Sequence, residues 1–457
     1  MSGKNNKIEG DCVKGKRLCK DLVVIVLIVY GICGGEILNQ RQKSGMKMDK
    51  IYQQEENSFL VNYEKLIQVS SDIRVLISTT GYVSKYHQVV TLGSEQGMIV
   101  EEDGGEVKNY GKERISISLD EIKGKKIKVY SAQEDGRITV YSVLRNEKNP
   151  SYYGKMELNY SEEGIIMINE VDLEKYLYSV IPSEMPLNYE IEALKAQAVC
   201  ARTYAVSKMQ NGIDETYLCH LDDSVSSQVY GNKELQEESI KVVNETKGII
   251  LVNRKNVGTA YYFSTSCGSL SEPEDIWIKE REELVETSVL MKNENQELEN
   301  KIKKILDDEK GLEQNYPYFR WTVKIPYDVL ENKVKIGEIK NIRVSQRGES
   351  GVAKVLTIEG EHGVKHYVGE YEIRSVLTPL DLELVKHNKE ITKTMNLLPS
   401  GYFYGIMEED GYMIYGGGYG HGAGMSQNGA NELAKQGYTF LEILKYYYKG
   451  QNIIRIY

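Results

Sequence analysis

Residues 181–204 read IPSEMPLNYEIEALKAQAVCARTY and place a glutamate, Glu184, between two prolines. A carboxyl group held at fixed geometry can donate a proton to a leaving group and later accept one, which is general acid–base chemistry. Pro182 and Pro186 restrict the residues before them and predict a stiff loop at a helix entrance. Apolar neighbours would raise the pKa of the acid by desolvation. The competing interpretation, favoured by local physics alone, is a solvated charge near a helix N-terminus.

A second cluster, residues 416–437, reads GGGYGHGAGMSQNGANELAKQG. Its glycines indicate a backbone that approaches another group closely or adopts positive φ. A nucleotide-binding loop is excluded because no Gly-Lys-Ser/Thr follows and no distal ribose-binding acid completes a dinucleotide fingerprint. Ser426 is predicted to cap a helix that Gly437 ends. His421 either pins the loop by hydrogen bonding or contacts substrate, and the sequence leaves both open.

Two further chemistries are poorly supported. Cys219 and His220, with Cys267 further along the chain, match no standard Cys/His spacing for zinc. A serine or cysteine nucleophile lacks a G-x-S-x-G elbow, and Ser266, Cys267 and His421 make no triad by themselves. The sequence therefore predicts neither a metal nor a covalent nucleophile.

The chain has 457 residues, 41% of them hydrophobic, and a formal net charge of −10. This length and composition allow two or three globular domains. The acidic balance argues against a nucleic-acid partner, whose binding surface would be basic.

The N-terminus predicts a membrane segment. Residues 1–20 form a basic leader, residues 21–35 contain the apolar run LVVIVLIVYGIC, and residues 36–70 are a polar stalk. No small-residue cleavage site follows the run, which favours an uncleaved anchor over a signal peptide. The positive-inside rule then places the remainder outside, as a single-pass protein on the extracytoplasmic side of a membrane.

The remainder predicts an α+β, β-rich fold. Residues 71–150 contain short alternating segments typical of an antiparallel sheet. Residues 151–457 are predicted to form the domain that carries Glu184, with a long helix from about 188 to 209 packed on a sheet and a charged helical excursion at 278–312.

Several blocks of this sequence resemble the motifs of a known protein family. They occur in the order VIPSEMP, EALKAQAVCARTYA, SQVYGN, TKGIILVNRK, AYYFSTSCGSLSEPEDIW and GYGHGAGMSQNGANELAKQG. Together they resemble the stage II sporulation protein D (SpoIID) family, which includes the amidase-enhancer proteins called LytB. The resemblance covers most of residues 72–457.

This resemblance implies a peptidoglycan lytic transglycosylase that cleaves the MurNAc–GlcNAc β-1,4 bond and leaves 1,6-anhydro-MurNAc ends. The implied substrate is glycan stripped of its stem peptides by a partner amidase during sporulation engulfment. The family's catalytic acid matches Glu184. The positions expected to line the substrate groove are Arg202, Tyr204, Gln228, Tyr230, Ser266, His421, Ser426 and Gln427.

One departure from the family pattern bears on metals. Some members hold zinc through a His-Cys pair immediately before the glutamine of the SQVY block. Here Ser226 and Ser227 precede Gln228, and Leu221 and Glu215 occupy the upstream positions. The sequence therefore predicts no zinc and no cofactor.

A single acid suits the implied reaction. Hydrolases of glycosidic bonds generally need a second carboxylate. In a transglycosylase the C6 hydroxyl of the substrate attacks, already tethered at high effective concentration. Two alternatives stay open: a non-catalytic peptidoglycan-binding amidase enhancer, and a muramidase that uses Asp222, Asp223 or Glu192 as its second carboxylate.

Overall fold

The computed structural model describes residues 71–457 except residues 104, 232, 254, 255, 259, 280 and 282–291. Within this part of the chain the fold is mixed α+β and rich in strands, as the sequence predicts. The predicted leader, membrane segment and stalk lie outside the described residues. No helix of the described part is both long and apolar enough to cross a membrane.

The strands of the described part fall into six sheets. In chain order they are β1 Asp72–Leu76, β2 Val89–Gly93, β3 Met98–Glu102, β4 Glu106–Gly111, β5 Ile115–Ser118, β6 Lys126–Ser131, β7 Ile138–Val140, β8 Ser151–Tyr152, β9 Lys155–Tyr160, β10 Ile165–Asp172, β11 Leu221–Asp222, β12 Ile249–Asn253, β13 Asn256–Val257, β14 Tyr262–Phe263, β15 Trp321–Pro326, β16 Ile339–Arg347, β17 Ala353–Gly360, β18 Gly363–Val368, β19 Leu384–Lys386, β20 Ile391–Thr392, β21 Phe403–Met407, β22 Gly411–Gly416, β23 Met425–Ser426 and β24 Asn452–Arg455.

The helices of the described part are α1 Leu119–Ile122, α2 Leu173–Glu184, α3 Ile191–Gln210, α4 Glu237–Glu245, α5 Pro273–Ile276, α6 Lys292–Asp307, α7 Tyr327–Val334, α8 Glu370–Val376, α9 Gln427–Lys435 and α10 Phe440–Tyr447. A short 3₁₀ turn spans Thr80–Tyr82. The long helix predicted from about 188 to 209 is therefore α3.

The largest sheet has seven strands in the order β11-β1-β10-β9-β6-β3-β4. Its neighbours are antiparallel except for β1 and β11, which run parallel. Strands from both sides of residue 150 share this sheet, while β5, β2, β7 and β8 form a separate sheet of four. Strand β10 leads directly into α2, so the sheet fixes where that helix starts.

Helix α3 lies at the centre of the helical layer. It packs against α2, α4, α9, α10 and strand β12. Alanines on several faces of α3, among them Ala196, Ala198, Ala201 and Ala205, are fully buried. Because small side chains let neighbouring backbones approach closely, one helix can contact all of these elements at once.

The segment after residue 320 has its own core. The five-stranded sheet β20-β19-β15-β22-β21 and the three-stranded sheet β16-β17-β18 enclose a cluster that includes Trp321, Leu330, Leu356 and Phe403. Helix α6, within the predicted charged excursion, packs against β16 and β21. Its Ile302 is fully buried, so this helix is part of the packed structure as well as of the surface.

Candidate active site

Glu184 is the last residue of α2, not part of a loop between prolines as predicted. Asp172 caps the start of α2, and its carboxylate accepts hydrogen bonds from the backbone N–H of Glu174 and Lys175. The helix continues through Pro182, which lacks the N–H that would bond the Tyr178 carbonyl. Met185 is extended, as a residue before a proline prefers. The acid is thus held by a regular helix.

The carboxyl group of Glu184 has two hydrogen-bond donors. The backbone N–H of Val229 donates to Oε1 at 2.5 Å, and the Tyr262 hydroxyl donates to the same carboxyl group. The residue as a whole is half-buried. Burial raises its pKa to about 7, against the opposing effect of the two donors. A half-buried acid that is partly protonated near neutral pH is suited to general acid–base catalysis.

Tyr262 is held in place by a buried chain of polar groups. The side-chain amide of Gln228 donates to the Tyr262 hydroxyl oxygen at 3.0 Å and to the Ala201 carbonyl at 3.3 Å. The Tyr176 hydroxyl donates to Gln228 Oε1 at 3.1 Å. Because Gln228 already accepts and donates inside the protein and has no exposed surface, it orients Tyr262 and does not line a groove. The expectation of a substrate contact at Gln228 is corrected.

Three more of the expected groove residues are buried. The Tyr230 hydroxyl donates to Asn169 at 2.8 Å. The Ser426 hydroxyl accepts a helix N–H, which confirms the predicted cap of α9, and it donates to Glu313 at 2.7 Å. The backbone N–H of Ser266 donates to the same carboxylate at 2.8 Å. These residues support the site from within; none is exposed enough to touch a glycan.

Arg202 is a clear correction. Its side chain has no exposed surface. Its guanidinium makes a two-pronged ion pair with Glu174, at 2.9 and 2.7 Å, and donates to the backbone carbonyls of Val243 and Ile249. Arg202 therefore ties α3 to α2 and to strand β12 instead of reaching substrate.

Gln427 is also almost fully buried. Its side-chain amide donates to the backbone carbonyl of Glu184 at 3.2 Å. It satisfies a carbonyl that the end of α2 leaves without a helical partner. Gln427 thus fixes the position of the acid.

His421 pins the glycine-rich loop. Its Nδ1 accepts the Ala423 N–H at 3.1 Å, so Nε2 carries the proton and donates to the Tyr262 carbonyl, also at 3.1 Å. Burial lowers its pKa to about 4, which keeps the ring neutral at physiological pH. Of the two interpretations left open by the sequence, the structural hydrogen bonder is therefore supported.

Tyr204 and His421 are the two expected groove residues that stay partly exposed, and Tyr204 lies close enough to the acid to feel its charge. Its ring contacts Tyr261, which in turn lies against Trp277 with ring centroids 4.2 Å apart. The charge of Glu184 contributes to raising the pKa of Tyr204, whose largest cause is burial. Sequence reasoning did not single out Tyr261, Tyr262 or Trp277, although all three lie in the AYYFSTSCGSLSEPEDIW block.

The loop that brings Val229 to Glu184 is anchored by a buried ion pair. Asp223 bonds Arg145 at 2.5 Å and accepts the Ser78 N–H at 3.0 Å, and its carbonyl accepts the Tyr230 N–H. Neither charged side chain is appreciably exposed. No local pattern joins residues 145 and 223, so sequence reasoning missed this support.

The three acids weighed as a second carboxylate have different surroundings. Asp223 is buried in its ion pair. Glu192 pairs with Lys195 and accepts the Phe440 N–H. Asp222 is near enough to Tyr204 to raise its pKa, as Glu184 does, although its Oδ1 is occupied by the Ser224 N–H and hydroxyl. Of these three, Asp222 is the one whose charge reaches the tyrosine that flanks Glu184.

Gly424 predicts a steric test of the glycine-rich loop. It has φ +79°, and a Cβ there would lie 1.9 Å from the Tyr261 carbonyl oxygen. Gly437 has φ +88° but open space around it. We expect Gly437→Ala to cost about 1–3 kcal/mol of unfolding free energy from backbone strain alone, and Gly424→Ala to cost more. Urea unfolding checks this; equal losses would contradict the steric account.

No group of three or more His, Cys, Asp or Glu side chains within the described ranges is arranged to hold a metal ion. Cys200, Cys219 and Cys267 are free and buried. His220 accepts the Arg74 N–H through Nδ1 at 3.0 Å, so it is engaged in the sheet.

Comparisons with known proteins bear on the identity of this site. Residues 161–253 match the family model described as stage II sporulation protein (SpoIID). The chain carries a SpoIID-family domain. Residues 271–424 match a domain of unknown function (DUF8618).

Relatives agree with this SpoIID assignment. The amidase enhancer of Bacillus subtilis (strain 168) is 30% identical over 293 residues, which is 61% of this chain and 40% of the relative. Proteins named stage II sporulation protein D, from Bacillus subtilis (strain 168) and Bacillus amyloliquefaciens, are 29% and 28% identical; each match covers 63% of this chain and 75% of the relative. The chain thus spans less than half of the amidase enhancer.

The SpoIID domain contains Glu184, Tyr204 and Val229, whereas Tyr262 and His421 lie outside the matched range. Trp277 belongs to the DUF8618 range. The candidate site is therefore assembled from more of the chain than the SpoIID match covers.

Proposed function

We propose that this protein is a peptidoglycan lytic transglycosylase, with Glu184 as general acid and then base. The observation that carries the proposal is the environment of Glu184: a half-buried position, a pKa raised by burial to about 7, and two fixed hydrogen-bond donors. The family assignment supports the same reaction class.

The reaction needs one carboxyl group. Protonated Glu184 gives its proton to the oxygen that links MurNAc to GlcNAc, and the bond from this oxygen to the anomeric carbon of MurNAc breaks. The Val229 N–H and the Tyr262 hydroxyl stabilise the carboxylate that remains. The carboxylate then takes the proton of the MurNAc C6 hydroxyl as its oxygen bonds to the anomeric carbon. Glu184 is protonated again, and the new end is a 1,6-anhydro sugar.

This mechanism predicts a pH dependence with a definite sign. The first step uses protonated Glu184, and the raised pKa of about 7 means that protonation is lost as pH rises through this value. We expect kcat/KM on peptide-free glycan to fall about tenfold per pH unit above about pH 7. The measurement is the initial rate at which new chain ends form, taken between pH 5 and 9. A rate that rises across this range would contradict the assignment of the acid.

The raised pKa of Glu184 also makes the free energy of unfolding depend on pH. A carboxyl whose pKa is raised in the fold stabilises the protein most when protonated, so this contribution is lost as pH rises from about 4.3 to about 7. We expect the stability of Glu184→Gln relative to the parent to increase over this window. Urea unfolding at pH 4.5 and pH 8 measures the difference; no change between the two would contradict the raised pKa.

A second candidate is a non-catalytic amidase enhancer, favoured by the relative that bears this name. The two candidates are separated by incubating the protein with peptide-free glycan strands, with no amidase added. New chain ends support the enzyme. Binding without new ends, together with faster stem-peptide release when an amidase is added, supports the enhancer.

The setting of the activity is also a proposal. The apolar run within residues 21–35 would anchor the chain as a single-pass protein, with the catalytic part on the extracytoplasmic side. There it would meet peptidoglycan strands during sporulation engulfment, with an amidase as partner that strips the stem peptides first. Membrane fractionation of the full chain, with and without residues 1–35, tests the anchor.

A further inference from the structure

Trp277 is an exposed tryptophan beside the site. It is one of two tryptophans in the chain; its residue surface is 44% exposed, whereas Trp321 is 1% exposed. An aromatic side chain that is open to water beside a candidate site offers a flat apolar face on which a ligand can pack.

The backbone that carries Trp277 is anchored. Its N–H donates to the carbonyl of Pro273, the first residue of α5, and the preceding Ile276 is buried. Asp275 on the same turn bonds Lys354 at 2.8 Å. The ring lies 4.2 Å from Tyr261, at an interplanar angle of 35°, so Tyr261 backs it as a support.

The ring also adjoins the acid through shared neighbours. His421 lies 5.2 Å from Trp277, centroid to centroid, and bonds the carbonyl of Tyr262. Tyr262 in turn donates its hydroxyl to Glu184. Tyr261 also contacts Tyr204, with ring centroids 6.4 Å apart. The aromatic row formed by Tyr204, Tyr261 and Trp277 is therefore linked to the carboxyl group through His421 and Tyr262 at one end and through the charge of Glu184 on Tyr204 at the other.

We propose that this aromatic row is a stacking subsite for a sugar ring of a β-1,4-linked N-acetylhexosamine strand, with Trp277 as its outer platform. The apolar C–H face of such a ring packs on an aromatic face, while its hydroxyl and acetamido groups stay in water. The exposed carboxylates Glu272 and Glu274 precede Trp277 on the same turn. Their charge favours GlcNAc, which is neutral, over MurNAc, whose lactyl group is a free carboxylate once the stem peptide has been removed. The subsite rests on the proposed function, since it names how the same site holds its glycan.

The probe is a neutral oligosaccharide of β-1,4-linked N-acetylglucosamine, bound to the Glu184→Gln protein so that nothing is cleaved. Because Trp321 is buried, a change in tryptophan fluorescence on binding reports on Trp277. We expect this change, protection from iodide quenching, and loss of both in Trp277→Phe. By calorimetry, Trp277→Ala should bind about 3- to 10-fold more weakly, whereas Trp277→Phe keeps most of the affinity because its ring still stacks.

Unchanged affinity in Trp277→Ala, or no protection of Trp277 in the parent, would overturn the subsite. A Trp277→Ala protein that binds the oligosaccharide as the parent does, but no longer stimulates an amidase, would also overturn the subsite. This surface would then be a protein-docking site. The cleavage test is separate: a protein that binds through Trp277 but forms no new chain ends keeps the subsite and loses the transglycosylase. A protein that cleaves glycan with no contribution from Trp277 keeps the transglycosylase and loses the subsite.

Discussion

Glu184→Gln is expected to lower the rate of glycan cleavage by about 100- to 10,000-fold, the usual contribution of a general acid–base group. The glutamine oxygen can still accept the Val229 N–H, so the local fold is kept. What the variant loses is the proton that the leaving oxygen needs. We therefore expect kcat to fall while affinity for the glycan stays close to that of the parent.

The matched control is Glu190→Gln, which removes an exposed carboxylate at the start of α3. Glu190 bonds through its backbone, with its N–H donating to Asn431 and its carbonyl accepting from Ala193 and Leu194. This variant should cleave at the parental rate. If both variants were equally active, or if Glu184→Gln lost affinity and stability instead of kcat, the acid would have to be sought elsewhere.

Arg202→Met is expected to destabilise the protein by about 3–5 kcal/mol, because it leaves the buried Glu174 carboxylate without its cationic partner. Both side chains of this pair are essentially inaccessible, at 0% and 6% exposure. The pair joins α2, which carries Glu184, to α3. Urea unfolding measures the loss, and glycan affinity of the folded fraction should be unchanged.

The control for this prediction is the double variant Glu174→Leu/Arg202→Met. Replacing both charges by apolar groups of similar size removes the unpaired charge and should recover part of the lost stability. If Arg202→Met were as stable as the parent but bound glycan more weakly, Arg202 would be a substrate contact and not a structural residue.

Much of the local structure could be predicted from the sequence. The alternating segments correspond to strands β1, β2, β5, β6 and β7, and the alanine-rich helix was placed within three residues of its observed ends. The Ser426 cap was predicted from local chemistry alone. These features depend on residues close together in the chain.

The surroundings of Glu184 could be predicted only in part. The desolvated acid was expected from its apolar neighbours, but the prolines suggested a loop where α2 continues to Glu184. Pro182 removes one helical hydrogen bond, and the helix ends two residues later. The donors Val229 and Tyr262 come from distant segments, which no local pattern could reveal.

The expected groove residues show the limit of motif matching. A motif identifies which positions recur, but not whether a side chain faces water or the core. Arg202 finds Glu174 in the preceding helix, and Gln228 finds Tyr262 across the fold. Both are thus supporting residues, while exposed Trp277 was not singled out among the groove residues.

The central claim is that one carboxyl group, Glu184, cleaves glycan by intramolecular attack of the substrate. The most direct measurement is digestion of peptide-free glycan in isotopically labelled water, with mass spectrometry of the new muramic acid ends. We predict 1,6-anhydro ends without label from the parent, and no new ends from Glu184→Gln. Labelled reducing ends would contradict the claim, because water would then be the nucleophile and a second carboxylate, with Asp222 the first to test, would be required.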